Sequence, residues 1–384
     1  MKFKLLIFNI LLLAQLHSQV LTEQQAIEQA LKTYPSVQLA EQQARQRKAL
    51  ERTAFNPSQP QAILETPADV GVGVEIQQQF DFPGVYGKRS KWLKSQTRLA
   101  SEAANLTRWE LTKAVRLAYL DAQTAQAQVR IFSRQDSLWR DIAASSRRLF
   151  DGGQINRADL LFAETRAGQL ANSLAQSQAE AANALAKLAL LTGGNIGKVA
   201  DLQVVSSVQA DTAGVFYFEK YLLENQQVAA AETAVRQSER LPGFVIGYFR
   251  VPDKDTDFRS RLRAGVTVPI WQGQYKGEIE ATKIAQESAQ ATADFQRQQA
   301  QATRLQLLQT LAQTTRSLDW FEQSALPQTD ELVSTSRRLY EGGETDYVLM
   351  LRNISDAMDL QNQYFETIQR HNQTVIELTF LNGQ

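Results

Sequence analysis

Polar and apolar residues alternate one by one in two short stretches of a chain that is otherwise patterned for helices. Across residues 72–82, Val72, Val74, Ile76, Phe80 and Phe82 fall on one side and Gly73, Glu75, Gln77, Gln79 and Asp81 on the other, with Gln78 interrupting the apolar row. Across 261–270, Leu262, Ala264, Val266, Val268 and Ile270 oppose Arg261, Arg263, Gly265 and Thr267. A period of two predicts strands with one apolar and one polar side. A weaker strand precedes each, over 61–65 and 244–251, so the chain carries two β-hairpins. A hairpin alone is barely stable in water and needs further strands to pair with. Two architectures satisfy that need: a small soluble sheet capping a helical bundle, or a barrel wall with lipid outside and water inside, whose closure removes the edges. Phe80, Phe82, Tyr86, Trp92 and Trp271 gather where the strands end, as an aromatic belt at a membrane interface would.

The remaining pattern is helical. Leu111, Val115, Ala118, Ala122, Ala125, Val129 and Phe132 are spaced alternately by four and three, as are Leu307, Leu311, Thr314, Leu318, Phe321, Ala325, Gln328, Leu332, Thr335 and Leu339. This period of 3.5 predicts supercoiled helix packing. Each long helix covers roughly 60 residues, which at the α-helical rise reaches about 90 Å and suits spanning a gap better than filling a compact domain. Pro327 lies inside the second and should kink it or break its ladder. The helices reverse at Asp151-Gly152-Gly153 and Glu341-Gly342-Gly343, and return helices over 156–192 and 345–381 pack back antiparallel. At the other end, Thr22 with Gln25 forms a capping box opening a first helix that runs to about Thr53, before Asn56-Pro57.

The chain also repeats itself. Ser146-Arg147-Arg148-Leu149-Phe150-Asp151-Gly152-Gly153 recurs as Ser336-Arg337-Arg338-Leu339-Tyr340-Glu341-Gly342-Gly343, an offset of 190, and at the same offset Leu190-Leu191-Thr192-Gly193 falls on Phe380-Leu381-Asn382-Gly383. So long a period makes each copy a multi-element half. The expected organisation is a signal peptide over 1–18, a first repeat over 19–195, a linker over 196–215 and a second repeat over 216–384. The signal follows from Lys2 and Lys4 before the apolar run 5–16 and small Ser18, with cleavage expected after Ser18. That run is too short to span a bilayer as a helix. With 41 basic and 41 acidic residues the net charge is zero, so no global field favours nucleic acid.

Several of these segments resemble the TolC-like outer membrane efflux proteins. The opening Leu21-Thr22-Glu23-Gln24-Gln25-Ala26-Ile27-Glu28-Gln29-Ala30-Leu31 with Tyr34-Pro35 is similar to that family's first-helix signature, with Tyr34 where Asn is usual. Ala325-Leu326-Pro327 followed by Leu339-Tyr340-Glu341-Gly342-Gly343 is similar to its C-terminal-half signature. Gln79-Phe80-Asp81-Phe82-Pro83-Gly84 with Gly87-Lys88-Arg89 resembles the strand-to-helix junction of the cation-efflux branch.

The resemblance implies a mainly α fold with a transmembrane β-barrel part. Two long α-helical hairpins and two β-hairpins per chain would assemble as a homotrimer into one α/β-barrel tunnel. It implies a passive exit duct in the cell outer membrane, in contact with outer-membrane lipid. The duct would extend across the periplasm to an adaptor protein and an inner-membrane pump of the RND type. A structural coiled-coil protein of the envelope, a scaffold or stalk without channel activity, is the alternative.

Adaptor docking is expected at the helix reversals, at Gly152, Gly153, Gly342 and Gly343 with Arg147, Arg148, Arg337 and Arg338 beside them. In relatives, acidic residues just past the tip line a gate. Here Asp159 takes that place in the first half, while Leu349 and Arg352 take it in the second. The gate candidates are therefore Asp159 and Asp346 with the bases Arg157 and Arg352, a mixed set expected to form salt bridges between chains. Catalysis is not expected: beyond the signal the one histidine is His371, and there is no cysteine to complete a nucleophile and base pair. No cofactor or metal is expected either, because soft ligands are missing and Gly193-Gly194-Asn195-Ile196-Gly197 follows a helix rather than a strand.

If the apolar sides of the second strand of each hairpin face lipid, Val74→Arg or Val266→Arg should cost up to about 2–4 kcal/mol near mid-bilayer. Urea-induced unfolding from vesicles measures the cost, and normal insertion and stability of both variants would exclude the barrel.

Overall fold

The computed structural model describes residues 20–66, 72–205, 215–251 and 259–383. The expected signal segment and its cleavage point lie outside these residues, as does 206–214 of the linker. The described elements are helices α1 (Glu23–Thr33) and α2 (Pro35–Leu50), strands β1 (Gln61–Glu65) and β2 (Gly73–Phe80), helices α3 (Pro83–Asp151), α4 (Arg157–Thr192) and α5 (Glu219–Glu239), strands β3 (Gly243–Val251) and β4 (Arg259–Thr267), and helices α6 (Gln272–Trp320), α7 (Leu326–Glu341) and α8 (Tyr347–Leu381). The chain divides into two compact units, each drawing on both copies of the repeat.

The first helix is not continuous to Thr53 as the sequence predicts. Tyr34 stands extended at ψ 127° between α1 and α2, because Pro35 disfavours helical backbone in the residue before it. A short 3₁₀ turn, Glu51–Ala54, follows α2. The capping box at Thr22 and Gln25 is present, with both side chain to backbone bonds formed. The strand β4 begins and ends earlier than its alternation suggests, stopping at Thr267, two residues before Pro269, which has no N–H to give to a ladder.

One unit comprises Ser36–Thr107 and Tyr217–Gln299. Its sheet has the order β1-β2-β3-β4, all neighbours antiparallel. The register places Ala62, Ile76, Tyr248 and Leu262 in one cross-strand row and Phe80, Phe244 and Val266 in another on the same side. On the opposite side, Ile63, Glu75, Phe249 and Arg261 form a row beside Gln61, Gln77, Gly247 and Arg263. Among the helices of this unit, Arg98 on α3 bonds Glu224 on α5 at 2.9 Å, and Arg297 on α6 bonds Glu219 on α5 at 2.6 Å. The hydrogen bond from Arg297 to Glu219 raises the pKa of its guanidinium further.

The other unit comprises 20–35, 108–205 with 215–216, and 300–383 of the described residues. Its core gathers Trp139, Ala163, Leu170, Tyr347, Leu351 and Ile354 from α3, α4 and α8. The predicted seam of α3 is buried at Leu111, Val115, Ala118, Ala122 and Ala125 and half-buried at Val129 and Phe132. The second seam holds only through Thr314, Leu318, Phe321 and Ala325. Beyond it, Leu332 and Leu339 are exposed while Thr329 and Ser336 are buried, so the inward face arrives one residue late.

The cause is a π turn at Phe321–Ala325, where the Leu326 N–H reaches back to the Phe321 carbonyl. One extra residue in a turn rotates everything after it by about 100°. Pro327 has no N–H to donate to the carbonyl four residues back, and the wider turn sits where that bond would be missing.

A strap of chain before residue 206 is fastened to this unit by side chains. Asn372, buried on α8, donates to the Gln203 carbonyl at 2.7 Å and accepts from the Val205 N–H at 2.8 Å. His371 contacts the Val205 carbonyl at 3.2 Å through Nε2 and the Thr314 hydroxyl at 3.3 Å through Nδ1. Farther back, the Tyr119 hydroxyl donates to the Leu21 carbonyl at 2.7 Å and accepts from the Ala200 N–H at 3.1 Å. Burial pushes the Tyr119 pKa up, partly opposed by that Ala200 bond.

Gly243 sits where β3 is closest to its neighbours: a Cβ there would lie 2.7 Å from both the Phe80 carbonyl oxygen and the Thr267 hydroxyl. Gly243→Ala should therefore destabilise the sheet by about 1–3 kcal/mol, whereas Gly265→Ala, with nothing within 4 Å, should stay within about 0.5 kcal/mol. Equal denaturation midpoints for the two variants would contradict the close approach.

Candidate functional site

The sheet has its polarity reversed relative to a soluble one. Leu64, Val74, Ile76, Phe244, Ile246, Tyr248 and Val266 are exposed, and Leu262 is 87 % exposed. On the opposite side Glu75 is only 5 % exposed and meets the Arg263 guanidinium at 2.8 Å. That pair spans β3 at Gly247, whose missing side chain leaves the way open between Gln77 and Arg263. Arg263 also stacks over the Phe249 ring at 5.5 Å. One side of the sheet thus buries a paired carboxylate while the other exposes aliphatic side chains, and exposing them to water costs free energy.

Aromatic side chains mark one end of this sheet. Phe82 and Phe244 stack with ring centroids 6.3 Å apart, Phe55 packs on Tyr86 at 4.9 Å, and Trp271 is 82 % exposed. Phe80, Phe82, Tyr86, Trp92 and Trp271 were expected in a belt at a membrane interface; Trp92 lies instead within α3, half-buried. Val268 and Ile270, past the end of β4, extend the exposed apolar band.

The helix reversals lie in the other unit and are built alike. At the first, the Gln154 N–H donates to the Leu149 carbonyl at 2.9 Å and the Gly153 N–H to Phe150 at 2.9 Å. At the second, Glu344 donates to Leu339 at 2.8 Å and Gly343 to Tyr340 at 3.0 Å. Both are complete Schellman motifs, with Gly153 and Gly343 at φ 71° and 74°. Gly152 and Gly342 precede them with ordinary helical bonds to Arg148 and Arg338. The arginines are equivalent too: Arg148 donates to Ser145 at 2.8 Å and Arg338 to Thr335 at 3.1 Å. Arg147 pairs with Glu164 at 3.3 Å, while Arg337 makes no ion pair among the described residues.

Three of the four charges expected at a gate are occupied locally. Asp159 accepts from the Asn156 N–H at 3.2 Å while Asn156 accepts from the Asp159 N–H at 3.0 Å, a reciprocal capping box that starts α4. Asp346 caps α8 by accepting from the Leu349 N–H at 2.7 Å. Arg157 lies over the Phe150 ring at 5.6 Å, and Arg352 is exposed. Among the described residues, none of these four pairs with another inside the chain.

Sequence reasoning missed the polar contact that ties the tip together, between the hydroxyls of buried Ser146 and Tyr347 at 2.8 Å. Burial pushes the Tyr347 phenol pKa up, against the opposing effect of the Ser146 bond. The recurrence of serine at 146 and 336 was the available signal, and Ser336 likewise accepts from Asn353 at 2.8 Å. Near the π turn, Tyr364 donates to Glu322 at 2.9 Å; burial and that carboxylate push its pKa up to about 12.

No family model and no curated protein sequence matches the chain. Solved structures do match. CusC, described for its folding and transmembrane channel formation, superposes with a TM-score of 0.80 at 16 % identity over 94 % of this chain and 91 % of its own. The outer membrane protein VceC of Vibrio cholerae gives 0.79 at 16 % identity, covering 94 % and 96 %. The open state of the MtrE outer membrane channel of Neisseria gonorrhoeae gives 0.76 at 14 %, covering 94 % and 88 %. The chain therefore has the TolC-like fold that its sequence motifs resemble.

Because Asp346 is a cap, Asp346→Ala should cost about 0.5–2 kcal/mol at the start of α8, and Asp346→Asn much less. Amide hydrogen exchange over 347–352 reads this directly. Equal exchange in the alanine and asparagine variants would remove the capping role.

Proposed function

We propose that this chain is an outer-membrane channel, the passive exit duct of a tripartite efflux system. The observation that carries the reading is the reversed sheet: aliphatic side chains exposed in register across four strands, with the Glu75–Arg263 pair on the opposite side. That polarity suits lipid outside and water inside. The four strands leave β1 and β4 as edges, and hydrocarbon tolerates no open edge. A homotrimer, which the family resemblance implies, would remove all of them by closing a twelve-stranded barrel. The exposed aromatic side chains at one end of the sheet suit the headgroup boundary.

The helices supply the periplasmic part. Helix α3 alone has 69 residues, about 100 Å at the α-helical rise. Its partners in this reading are a periplasmic adaptor, docking at Gly152, Gly153, Gly342 and Gly343 with the neighbouring Arg147, Arg148, Arg337 and Arg338, and an RND-type inner-membrane pump. The gate is the ring of Asp159, Asp346, Arg157 and Arg352 brought together from three chains. The capping bonds of the two acids fix their positions at the first turns of α4 and α8, and Arg352 is free to cross to a neighbour.

The test is reconstitution of the purified protein in planar bilayers. Stepwise conductance from a trimer that resists detergent is expected; a protein released from membranes by salt and silent in bilayers is a stalk, and the duct is then excluded. Arg352→Ala, and Asp346→Asn as the variant that keeps a capping group, should raise single-channel conductance. If neither changes conductance nor ion preference, the constriction lies elsewhere.

A further inference from the structure

Helix α7 carries two candidate inward faces one residue apart. The face in use runs through Thr329, Val333, Ser336 and Tyr340, with Thr329 and Ser336 buried and Val333 and Tyr340 packed against the core. The other runs through Gln328, Leu332, Thr335 and Leu339, and it continues the four-and-three spacing of Leu318, Phe321 and Ala325 without a break. The π turn at Phe321–Ala325 decides between them, because one residue fewer in that turn would carry each position of α7 into the place of the residue after it. All of these residues belong to one compact unit.

The substitutes suit the places they would take. Thr335 would bring a hydroxyl to where Ser336 accepts from Asn353 at 2.8 Å. Leu339 would replace the Tyr340 ring, which now lies 5.2 Å from that of Tyr347. Leu332 would replace Val333, which lines an open groove against α3 and α8, so its larger side chain enters free space rather than packed atoms. Leu332 and Leu339 are each 39 % exposed as they stand, and covering them favours the second face. Two residues favour the first. Pro327 has no N–H for the Gln323 carbonyl, and in a regular α-helix its ring crowds that carbonyl, a clash the wider turn avoids. Gln328 would put a longer amide where Thr329 is now buried, its hydroxyl donating to the Ala325 carbonyl at 2.6 Å.

We infer that α7 is a two-register device, in which the π turn moves along the helix toward Gly342-Gly343 and back. Its passage turns residues 326–340 by about 100° and leaves α6 and the Schellman turn in place. Opposed local preferences of this kind give two discrete packings rather than a continuous drift. The groove changes character with the register. Asp330, Val333, Ser334 and Arg337 line it now, whereas Thr329, Leu332, Val333 and Ser336 line it after the shift, and both charges of α7 leave it. A partner that grips Asp330 or Arg337 in one setting therefore selects that register. The inference concerns a single chain and stands apart from the channel reading.

The chain has no cysteine, so paired substitutions report the register by disulfide formation in the full-length protein. Ser336→Cys with Asn353→Cys reads the first face, and Thr335→Cys with Asn353→Cys the second. Closure is scored under mild oxidation as free thiols lost without dimers on a non-reducing gel. In the native background the first pair should close at least ten-fold faster than the second, and the second should still go to completion. Pro327→Ala should speed the second pair at least ten-fold and slow the first. Leu332→Ala together with Leu339→Ala should slow the second pair at least ten-fold, whereas a helix that is merely loose would close it faster. An unchanged second pair after Pro327→Ala, equal rates for both pairs there, or a second pair quickened by the double alanine variant would each overturn the device. Loss of both cross-links after Pro327→Ala would overturn it too, because α7 would then have left α8 without taking a second register.

Discussion

Hydrocarbon offers no hydrogen bonds, so every backbone N–H and C=O placed in it must be satisfied by another backbone group. In the proposed barrel that requirement would fall on β1 and β4, the two strands that have a neighbour on one side only. A soluble protein could leave those edges to water. A sheet whose exposed side carries Leu64, Ile76, Tyr248 and Leu262 in a band is costly to leave in water on that side as well. Edge and face therefore make a single demand, and assembly with further copies of the chain would meet both. The other features of the proposed duct would follow from it: a closed wall would enclose a lumen, and a lumen would account for Glu75 and Arg263 sitting opposite the aliphatic rows. Gly247 matters for the same reason, because its missing side chain leaves the space between Gln77 and Arg263 through which that pair meets.

Much of this was legible in the order of residues. The alternation at 72–82 and 261–270 located β2 and β4 and identified the side that would be apolar, because a strand's side chains have no choice but to alternate. It could not say whether that side was inward or outward, since periodicity is blind to what lies beyond the chain. The tips were legible in more detail. Recurrence of Leu-x-x-Gly-Gly at an offset of 190 carried over to equivalent hydrogen bonds at Leu149 and Leu339, and glycine's tolerance of positive φ explains why the motif reads so directly from sequence.

What the sequence hid was a matter of geometry that composition does not encode. A regular spacing through Gln328, Leu332 and Leu339 looked like an unbroken seam, yet the π turn at Phe321–Ala325 moved the inward face to Thr329 and Ser336. Pro327 announced a disturbance without revealing its sign, since a proline can bend a helix as easily as it can widen a turn. Asp159 and Asp346 were picked out for their charge. Their local use as caps was visible in principle, because Asn156 and Asp159 stand three residues apart at a helix start.

The fastening of the strap at 203–205 has a consequence for how this chain can drift over evolutionary time. Asn372 reads only main-chain atoms, the Gln203 carbonyl and the Val205 N–H, and His371 reads the Val205 carbonyl in the same way. The strap is thus recognised as a peptide rather than as a particular set of side chains. Its own residues are free to diverge, proline at 205 excepted, while the two side chains that hold it are not. Among distant homologues, invariance should therefore gather on the helix and leave the segment it grips almost unrecognisable.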